Sequence, residues 1–306
     1  MSPRTSEQDR RLEAIEALVC RDVGRKTQQL IDATRGGLAE AATSLATATR
    51  VGLITGFFVP RGDVAAPETD GPVGTALLAA SLVACGVPAR IAVDTPCVEA
   101  VRSAVRATGE DVTVDEIVLG DEGGIEELAK VWRQEALSHV VSIERCGRSA
   151  DGRPRNMRGV DVSPWTLPLD VLFEGGAWTK LAVGDGGNEI GMGKLPPGLI
   201  AQHVPNGADI ACVTSCDHLV VAGVSNWGAY GLMAALAVLR PDWHATIAKF
   251  LKAERDLFVT ASIVKEAAAV DGVTALREAT VDGFGPEIHG PLVDRLARIA
   301  WGEGAH

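Results

Sequence analysis

The fold is decided by the stretch Lys180-Leu181-Ala182-Val183-Gly184-Asp185-Gly186-Gly187-Asn188-Glu189-Ile190-Gly191-Met192-Gly193, in which a strand-like run meets a turn rich in glycine and acid. Residues 180–183 predict a buried strand, and the five glycines in the next ten residues exclude helix and strand beyond it. The turn carries Asp185, Asn188 and Glu189, whose side chains all bear oxygen atoms. Because glycine lets the backbone approach a ligand closely, we expect the turn to hold a small ligand rather than to be only a hydrated connection.

On both sides of this stretch, predicted strands alternate with predicted helices. The predicted strands are residues 51–59, 90–93, 112–119, 139–143, 180–183, 211–214 and 219–221. The predicted helices cover 7–48 with a break at Gly36-Gly37, then 72–86, 96–108, 125–137, 227–239, 242–257, 260–270 and 289–301. Such alternation is typical of βαβ units. The sequence therefore predicts an α/β fold with a largely parallel, or else mixed, central sheet flanked by helices.

The chain shows no internal repeat and no convincing linker. Its 306 residues are enough for one large α/β domain. We predict that residues 1–49 form an N-terminal helical extension packed on the main domain. Residues 50–306 are predicted to form a single α/β catalytic domain.

Composition and charge restrict the partners. The net charge is −11, which excludes a nucleic-acid partner and makes a cation a natural ligand. The longest apolar run, residues 76–93, is broken by Gly86, Pro88 and Arg90, so we expect no membrane span. The N-terminus has no apolar signal segment, and the six scattered cysteines indicate free thiols, so we expect a cytoplasmic protein. The C-terminal helices leave a homo-oligomer open.

Acids and an amide follow several of the predicted strands. The candidate metal ligands in these loops are Glu68, Asp70, Asp185, Asn188, Glu189 and Asp217. Because the carboxyl ends of parallel strands meet at one edge of a sheet, we expect these side chains to converge. Crowded carboxylates repel one another, and a divalent cation would relieve that repulsion. Oxygen ligands without His or Cys favour Mg²⁺ or Mn²⁺ over zinc, although any single acid could instead cap a helix or face water.

Two features suit a small anionic substrate. The loop after residue 144 carries the arginines Arg145, Arg148, Arg153, Arg155 and Arg158. An arginine pairs with a carboxylate or a phosphate through two parallel hydrogen bonds, so one or two of these side chains could bind the substrate. Ser225 and Asn226 begin a predicted helix, whose N-terminal amides could meet an anion or could simply be capped.

Five motifs of the chain resemble one known family. They are Pro67-Glu68-Thr69-Asp70-Gly71-Pro72-Val73-Gly74, Ile143-Glu144-Arg145-Cys146-Gly147-Arg148, Asn156-Met157-Arg158-Gly159, residues 184–193, and Ser225-Asn226-Trp227-Gly228-Ala229-Tyr230. Over residues 50–239 they resemble the C-terminal domain of D-glutamate cyclase, a domain that also occurs as a stand-alone bacterial protein. The resemblance implies a lyase that converts D-glutamate to 5-oxo-D-proline with loss of water.

The implied reaction assigns roles to several of these residues. The substrate amine must lose a proton and attack its own γ-carboxylate, which is a poor electrophile until a cation neutralises it. We predict that Glu144 is the general base, with a pKa raised by its acidic neighbours. Asp185 is predicted to hold the cation and to be essential for catalysis. Arg145 or Arg158 would bind the α-carboxylate.

A second similarity concerns the glycine turn. Residues 184–192 are similar to the Gly-Asp-Gly-x-Asn-Asp-x-x-Met magnesium motif of haloacid-dehalogenase-type phosphatases. Glu68 stands where the nucleophilic Asp of those enzymes would be, so the similarity supports metal binding more than a phosphoaspartate mechanism. The alternative function is therefore a divalent-metal-dependent phosphatase of small phosphorylated metabolites. A non-catalytic protein that binds a metal or an amino acid is the third interpretation.

Overall fold

The computed structural model describes residues 4–61 and 64–302; residues 1–3, part of the segment in which no secretory signal is expected, lie outside these ranges. The helices are α1 Ser6–Val19, α2 Gln28–Ala33, α3 Gly37–Leu45, α4 Pro72–Ala84, α5 Val98–Thr108, α6 Glu122–Gln134, α7 Asp170–Glu174, α8 Leu199–His203, α9 Gly207–Ile210, α10 Ser225–Leu239, α11 His244–Ile247, α12 Ala253–Glu266 and α13 Pro286–Trp301. The strands are β1 Val51–Ile54, β2 Phe58–Arg61, β3 Val64–Pro67, β4 Ala89–Asp94, β5 Thr113–Ile117, β6 His139–Ile143, β7 Thr179–Gly184 and β8 His218–Val221. None of the described helices is long and apolar enough to cross a membrane. The cytoplasmic location stays a prediction.

Six strands form one parallel sheet in the order β5-β4-β1-β6-β7-β8. The chain runs outward from β1 through β4 to β5 and then returns to β6 on the other side of β1, so the strand order reverses between β1 and β6. Strands β2 and β3 pair antiparallel in a separate ribbon. The predicted α/β fold is confirmed, and all strand pairs of the described central sheet are parallel.

Successive residues of a central strand enter two different hydrophobic cores. In β7, Leu181 and Val183 belong to one core and Ala182 to the other. The first core is shared with helices α1, α3, α4, α5, α10, α12 and α13, and the second with α2, α6 and α7. Because helices cover both faces of the sheet, every position of a central strand favours an apolar residue. This explains the continuous apolar runs seen in the sequence.

The N-terminal helices pack on the same core as the sheet. Helices α1 and α3 both contact α10, and α3 also contacts β8. Leu12, Ile15 and Val19 form the buried side of α1 within the first core. Burial of these apolar side chains holds α1 on α10. The domain boundary after residue 49 stays a prediction.

Three predicted elements have other bounds: the helix over 7–48 is also broken between Val19 and Gln28, the strand over 51–59 divides into β1 and β2, and the helix over 260–270 is the later part of α12. Two further predicted elements are wrong. Residues 211–214, predicted as a strand, form an irregular loop, in which Thr214 Oγ1 donates a hydrogen bond to Asp170 Oδ1. The predicted helix over 242–257 is interrupted, because α11 ends at Ile247 and Lys252 has an extended backbone with φ −140° before α12 begins. Both errors have one cause: a short apolar run does not by itself distinguish a strand, a helix and a buried loop.

We predict that Gly191→Ala destabilises the protein by about 3 kcal/mol. Gly191 has φ +102°, and a Cβ at this position would collide with Ala182 of β7. Denaturant-induced unfolding, followed by circular dichroism, measures the free energy of unfolding. Gly198→Ala is the matched control, because Gly198 has φ +80° but the nearest atom to an added Cβ is Gln202 Nε2 at 3.4 Å. The free energy of unfolding of the control should fall by only about 1–2 kcal/mol, because an alanine is unfavourable in the left-handed conformation. Equal decreases in the two variants would contradict the close packing inferred at Gly191.

Candidate active site

The candidate site lies at the carboxyl edge of the sheet, where the strand order reverses. Glu144 directly follows β6 and Asp185 directly follows β7. In open parallel sheets, ligands bind in the crevice outside such a reversal. Glu144 has φ +46°, a left-handed conformation that is unfavourable for a residue with a side chain. Such strain is concentrated at functional sites, which supports Glu144 as a functional residue.

A cavity of about 370 Å³ opens at this edge. It is lined by segments from four regions of the chain: Gly24, Arg25 and Lys26; Phe57, Val59, Pro60 and Glu68; Glu144, Asn156, Met157, Arg158, Asp185, Asn188 and Pro205; and Gly272, Val273 and Asp282. The predicted acids Glu68, Glu144 and Asp185 therefore share one cavity with Arg158. Three further charged residues of the lining, Arg25, Lys26 and Asp282, had not been predicted from the sequence.

The glycine turn is organised by Glu189. The carboxylate of Glu189 accepts hydrogen bonds from the backbone amides of Asp185, Gly186 and Gly187, at 2.9, 2.6 and 2.7 Å. Asn188 Nδ2 donates to the carbonyl of Arg155 at 2.9 Å, which ties the turn to the long loop after β6. Glu189 therefore shapes the turn and places Asp185 at the edge of the cavity.

Asp70 occupies the N-terminus of α10. Its carboxylate accepts hydrogen bonds from the backbone amides of Ser225 at 2.9 Å and Asn226 at 2.7 Å, and from its neighbour Gly71 at 3.0 Å. Asp70 therefore caps these amides, which is the second of the two alternatives that the sequence left open. The helix N-terminus stabilises the buried Asp70 carboxylate.

Ser225 and Asn226 act on the site through their side chains. Ser225 Oγ donates a hydrogen bond to Glu144 Oε2 at 2.5 Å, which connects the two carboxylates of Asp70 and Glu144 through one residue. Asn226 Oδ1 accepts hydrogen bonds from the amides of Gly71 and Gly74, which fixes the start of α4. Both side chains are thus hydrogen-bonded within the protein, and their role in binding the substrate stays a prediction.

Arg25 forms ion pairs with two of the buried acids. Its Nη1 lies 2.5 Å from Asp185 Oδ1, and its Nη2 pairs with Asp282 Oδ1. Arg25 comes from the connection between α1 and α2, and Asp282 from the loop before α13. The sequence analysis placed Arg25 inside the helix predicted over 7–48, although Gly24 beside it is a residue that commonly interrupts a helix, and Asp282-Gly283 resembles an ordinary turn.

Two groups of buried carboxylates have the geometry to hold a cation. Asp70, Asp185 and Asp282 offer oxygen atoms within 4.8 Å of one another, and so do Glu144, Asp185 and Glu189. In the described part of the chain, Asp185 Oδ2 and Asp282 Oδ2 are buried without a hydrogen-bond partner. Buried oxygens of this kind are unfavourable unless a ligand satisfies them. The all-oxygen set fits Mg²⁺ or Mn²⁺.

Burial raises the pKa of four acids well above their ordinary values. For Glu68 and Asp70, the next largest cause is the nearby Asp282, and for Glu144 it is Glu189. For Asp185, burial raises the pKa although Arg25 lowers it. The cluster therefore holds protons more tightly than isolated carboxylates do, and a cation that binds there must displace them.

Arg145 does not reach the cavity. It is fully buried, and its Nη2 pairs with Asp94 Oδ2 at 2.5 Å and with the carbonyl of Leu167 at 2.7 Å. Nη1 donates to the carbonyl of Gly56 at 2.9 Å. The predicted role of Arg145 in binding the α-carboxylate is therefore wrong, because its donors face protein acceptors that hold the long loop against β4. Arg158 does line the cavity.

Asp217 lies at the opposite edge of the sheet. It precedes β8, its Oδ2 accepts from the amide of Lys180 at 2.7 Å, and its own amide donates to Lys180. Lys180 comes five residues before Asp185 along β7, which corresponds to about 16 Å. The predicted metal-binding role of Asp217 is therefore wrong, because the strand expected at 211–214, whose carboxyl end would have carried Asp217 to the site, does not form.

The fold and the cavity define a class: a parallel α/β protein with a buried acidic cavity where its strand order reverses. The family model described as D-glutamate cyclase-like, C-terminal, matches residues 15–297. The chain therefore belongs to the D-glutamate cyclase-like family, which confirms the resemblance found in the sequence. It is 36% identical over 215 residues to the mitochondrial D-glutamate cyclase of Homo sapiens, a match that covers 66% of this chain and 35% of that protein. The chain thus spans about a third of the length of this relative.

We predict that the metal-free protein loses thermal stability as the pH rises from about 5 to 8. Glu68, Asp70, Glu144 and Asp185 have raised pKa values in the folded state. Their contribution to stability is therefore complete below the unfolded pKa of about 4 and is lost as the pH rises through the folded values. Thermal unfolding in buffer with a chelator measures this loss.

Two controls accompany this measurement. Excess Mg²⁺ or Mn²⁺ should reduce the loss at pH 8, because a cation that binds only the folded state stabilises it. Asp185→Asn should show a smaller loss than the unaltered protein, because one of the four carboxylates no longer ionises. A melting temperature that stays constant or rises between pH 5 and 8 without metal would contradict the raised pKa values.

Proposed function

We propose that the protein is a divalent-metal-dependent lyase that cyclises D-glutamate, or a closely related amino dicarboxylate, to the corresponding 5-oxoproline and water. One observation carries the proposal: Asp185 and Asp282 line the cavity of a D-glutamate cyclase-like protein, and each has one buried carboxylate oxygen without a hydrogen-bond partner. The cavity has the size of a small-ligand site. Its buried acids give it the means to hold a cation and to move protons.

The residues that would hold Mg²⁺ or Mn²⁺ are those with available carboxylate oxygens. Asp185 and Asp282 are the principal candidates, and Glu68 and Glu144 line the same cavity. Asp70 and Glu189 are already hydrogen-bonded to backbone amides, so they add negative charge beside the cation. When bound, the cation would neutralise the substrate γ-carboxylate and make its carbon a better electrophile.

Glu144 is the proposed general base. It lines the cavity, and burial together with the nearby Glu189 raises its pKa, so its carboxylate accepts a proton more readily than an ordinary glutamate does. The hydrogen bond from Ser225 Oγ at 2.5 Å holds the Oε2 end of the carboxylate in place. A proton accepted from the substrate amine can therefore be passed on to the departing oxygen by the same carboxyl group.

The atoms of the reaction balance without a further reactant. The ammonium nitrogen loses two protons in all and forms one bond to the γ-carbon. That carbon loses one oxygen, which takes both protons and leaves as water. The protein therefore needs to align the nitrogen with the γ-carbon, carry protons and exclude competing water.

Charge in the cavity favours a substrate with two carboxylates and one amine. Arg25, Lys26 and Arg158 are the cationic residues of the lining, against the four carboxylates of Glu68, Glu144, Asp185 and Asp282. When all seven of these side chains are ionised, the lining has a net charge of −1. A bound divalent cation changes this net charge to +1. We infer that Arg158 binds the α-carboxylate, because it lines the cavity and its guanidinium can pair with a carboxylate through two hydrogen bonds.

The deciding experiment incubates the chelator-treated protein with D-glutamate and with Mg²⁺ or Mn²⁺ added back. We expect 5-oxo-D-proline, detected by chromatography and mass spectrometry, only when the cation is present. L-Glutamate in parallel reports the stereochemical preference. Phosphate release from phosphorylated metabolites without 5-oxoproline would instead favour a phosphatase, and D-glutamate-dependent thermal stabilisation without any turnover would favour a binding protein.

We predict that Asp185→Asn abolishes cyclisation and weakens Mn²⁺ binding, whereas Glu144→Gln lowers kcat by about 10²–10⁴-fold. Asp185 loses the charge that attracts the cation, and Glu144 loses the group that carries the proton. Steady-state kinetics and Mn²⁺ titration calorimetry measure the two effects. The matched control is Asp217→Asn at the opposite edge of the sheet, which should leave both unchanged. Full activity of Asp185→Asn would mean that the glycine turn is not the cation site.

A further inference from the structure

Arg25 is held in place by its own connecting segment. Asp22 Oδ1 accepts hydrogen bonds from the backbone amides of Gly24 at 3.1 Å and Arg25 at 2.9 Å. Gly24 has φ +102° and Lys26 has φ +65°, so the backbone turns sharply on both sides of Arg25. This turn directs the Arg25 side chain into the cavity, where 20% of it is exposed.

The guanidinium lies where a cation would bind. It contacts Oδ1 of Asp185 and Oδ1 of Asp282. These two acids and Asp70 form one of the two groups of carboxylates that have the geometry to hold a cation. Oδ2 of Asp185 and Oδ2 of Asp282 have no protein partner in the described residues. Each of these two acids thus pairs with Arg25 through one oxygen and keeps the other for a ligand.

The other acids of the cluster are compensated differently. Asp70 accepts hydrogen bonds from three backbone amides, and Glu189 does the same. Glu144 accepts a hydrogen bond from Ser225. Among the described residues, Arg25 is the basic side chain that forms ion pairs with the acids of this cavity, namely Asp185 and Asp282. Removing Arg25 would therefore leave these two charges uncompensated in the metal-free protein.

We propose that Arg25 is a built-in counter-cation of the acidic site, which pairs with Asp185 and Asp282 and offsets part of their charge before a divalent cation arrives, and which lowers the affinity for that cation. A guanidinium keeps its charge at every physiological pH. It therefore stabilises the empty cluster, and it also repels a second positive charge a few ångströms away. The inference rests on the proposed cation site but does not require that the substrate be D-glutamate.

The test compares three variants with the unaltered protein after removal of metal by a chelator. Arg25→Met removes the charge and keeps most of the side-chain length, whereas Arg25→Lys keeps the charge. Arg158→Met is the matched control, because Arg158 lines the same cavity without an ion pair to the described acids. Calorimetric titration with Mn²⁺ alone at pH 8, without substrate, measures the affinity of each protein for the cation. Thermal unfolding with and without Mn²⁺ measures stability.

We expect Arg25→Met to bind Mn²⁺ about tenfold more tightly than the unaltered protein, or better, because one repulsive charge is gone. Without metal the same variant should melt roughly 3–6 °C lower, and saturating Mn²⁺ should reverse most of this loss. Arg25→Lys and Arg158→Met should bind Mn²⁺ much as the unaltered protein does.

The opposite results overturn the inference. If Arg25→Met binds Mn²⁺ no more tightly than the unaltered protein, or if no variant binds it, then Arg25 is not a counter-cation that competes with metal. If Arg158→Met raised the affinity for Mn²⁺ as much as Arg25→Met does, the cause would be the total charge of the cavity and not the ion pairs of Arg25. Formation of 5-oxoproline is measured in a separate assay. The Mn²⁺ affinities of the Arg25 variants therefore test the inference whether or not the protein cyclises D-glutamate.

Discussion

The structure depends on the burial of several carboxylates at one edge of a parallel sheet. A buried charge is strongly unfavourable alone, and Asp70, Glu189, Asp185 and Asp282 each have a compensating partner. The α10 N-terminus binds Asp70, the glycine turn wraps Glu189 with its own amides, and Arg25 pairs with Asp185 and Asp282. The cluster is therefore held by backbone dipoles and one arginine, and two oxygens remain free for a ligand.

This compensation joins parts of the chain that are far apart in sequence. The segment before α2, the loop after β6, the glycine turn and the loop before α13 all line one cavity. Arg145 and Asp94 form a fully buried ion pair that connects the end of β6 to the end of β4. Removing either partner would leave an unpaired buried charge, so the pair fixes the long loop in position. The N-terminal segment is thus part of the site as well as of the hydrophobic core.

Local patterns predicted much of this arrangement. The apolar runs identified all of the central strands and most helices, because a sheet covered on both faces requires such runs. The acids at the strand ends were predicted to converge because parallel strands end at one edge, and Glu68, Asp70, Glu144, Asp185 and Glu189 do converge. Asp217 was misplaced because a neighbouring apolar loop was taken for a strand. Arg145 was misassigned because its charge says nothing about which acid it meets.

The sequence by itself determined the α/β class, the glycine turn and the family, because these depend on residue periodicity and on motifs of adjacent residues. Only the tertiary structure decided which charges are neighbours. Arg25 and Asp282 are 257 positions apart, and no local pattern connects them. Their pairing follows from the packing of α1 and α13 on the same core, which brings the two loops together over Asp185. The interaction between two charges depends on the distance between them in space, and this distance is set only when the core has formed.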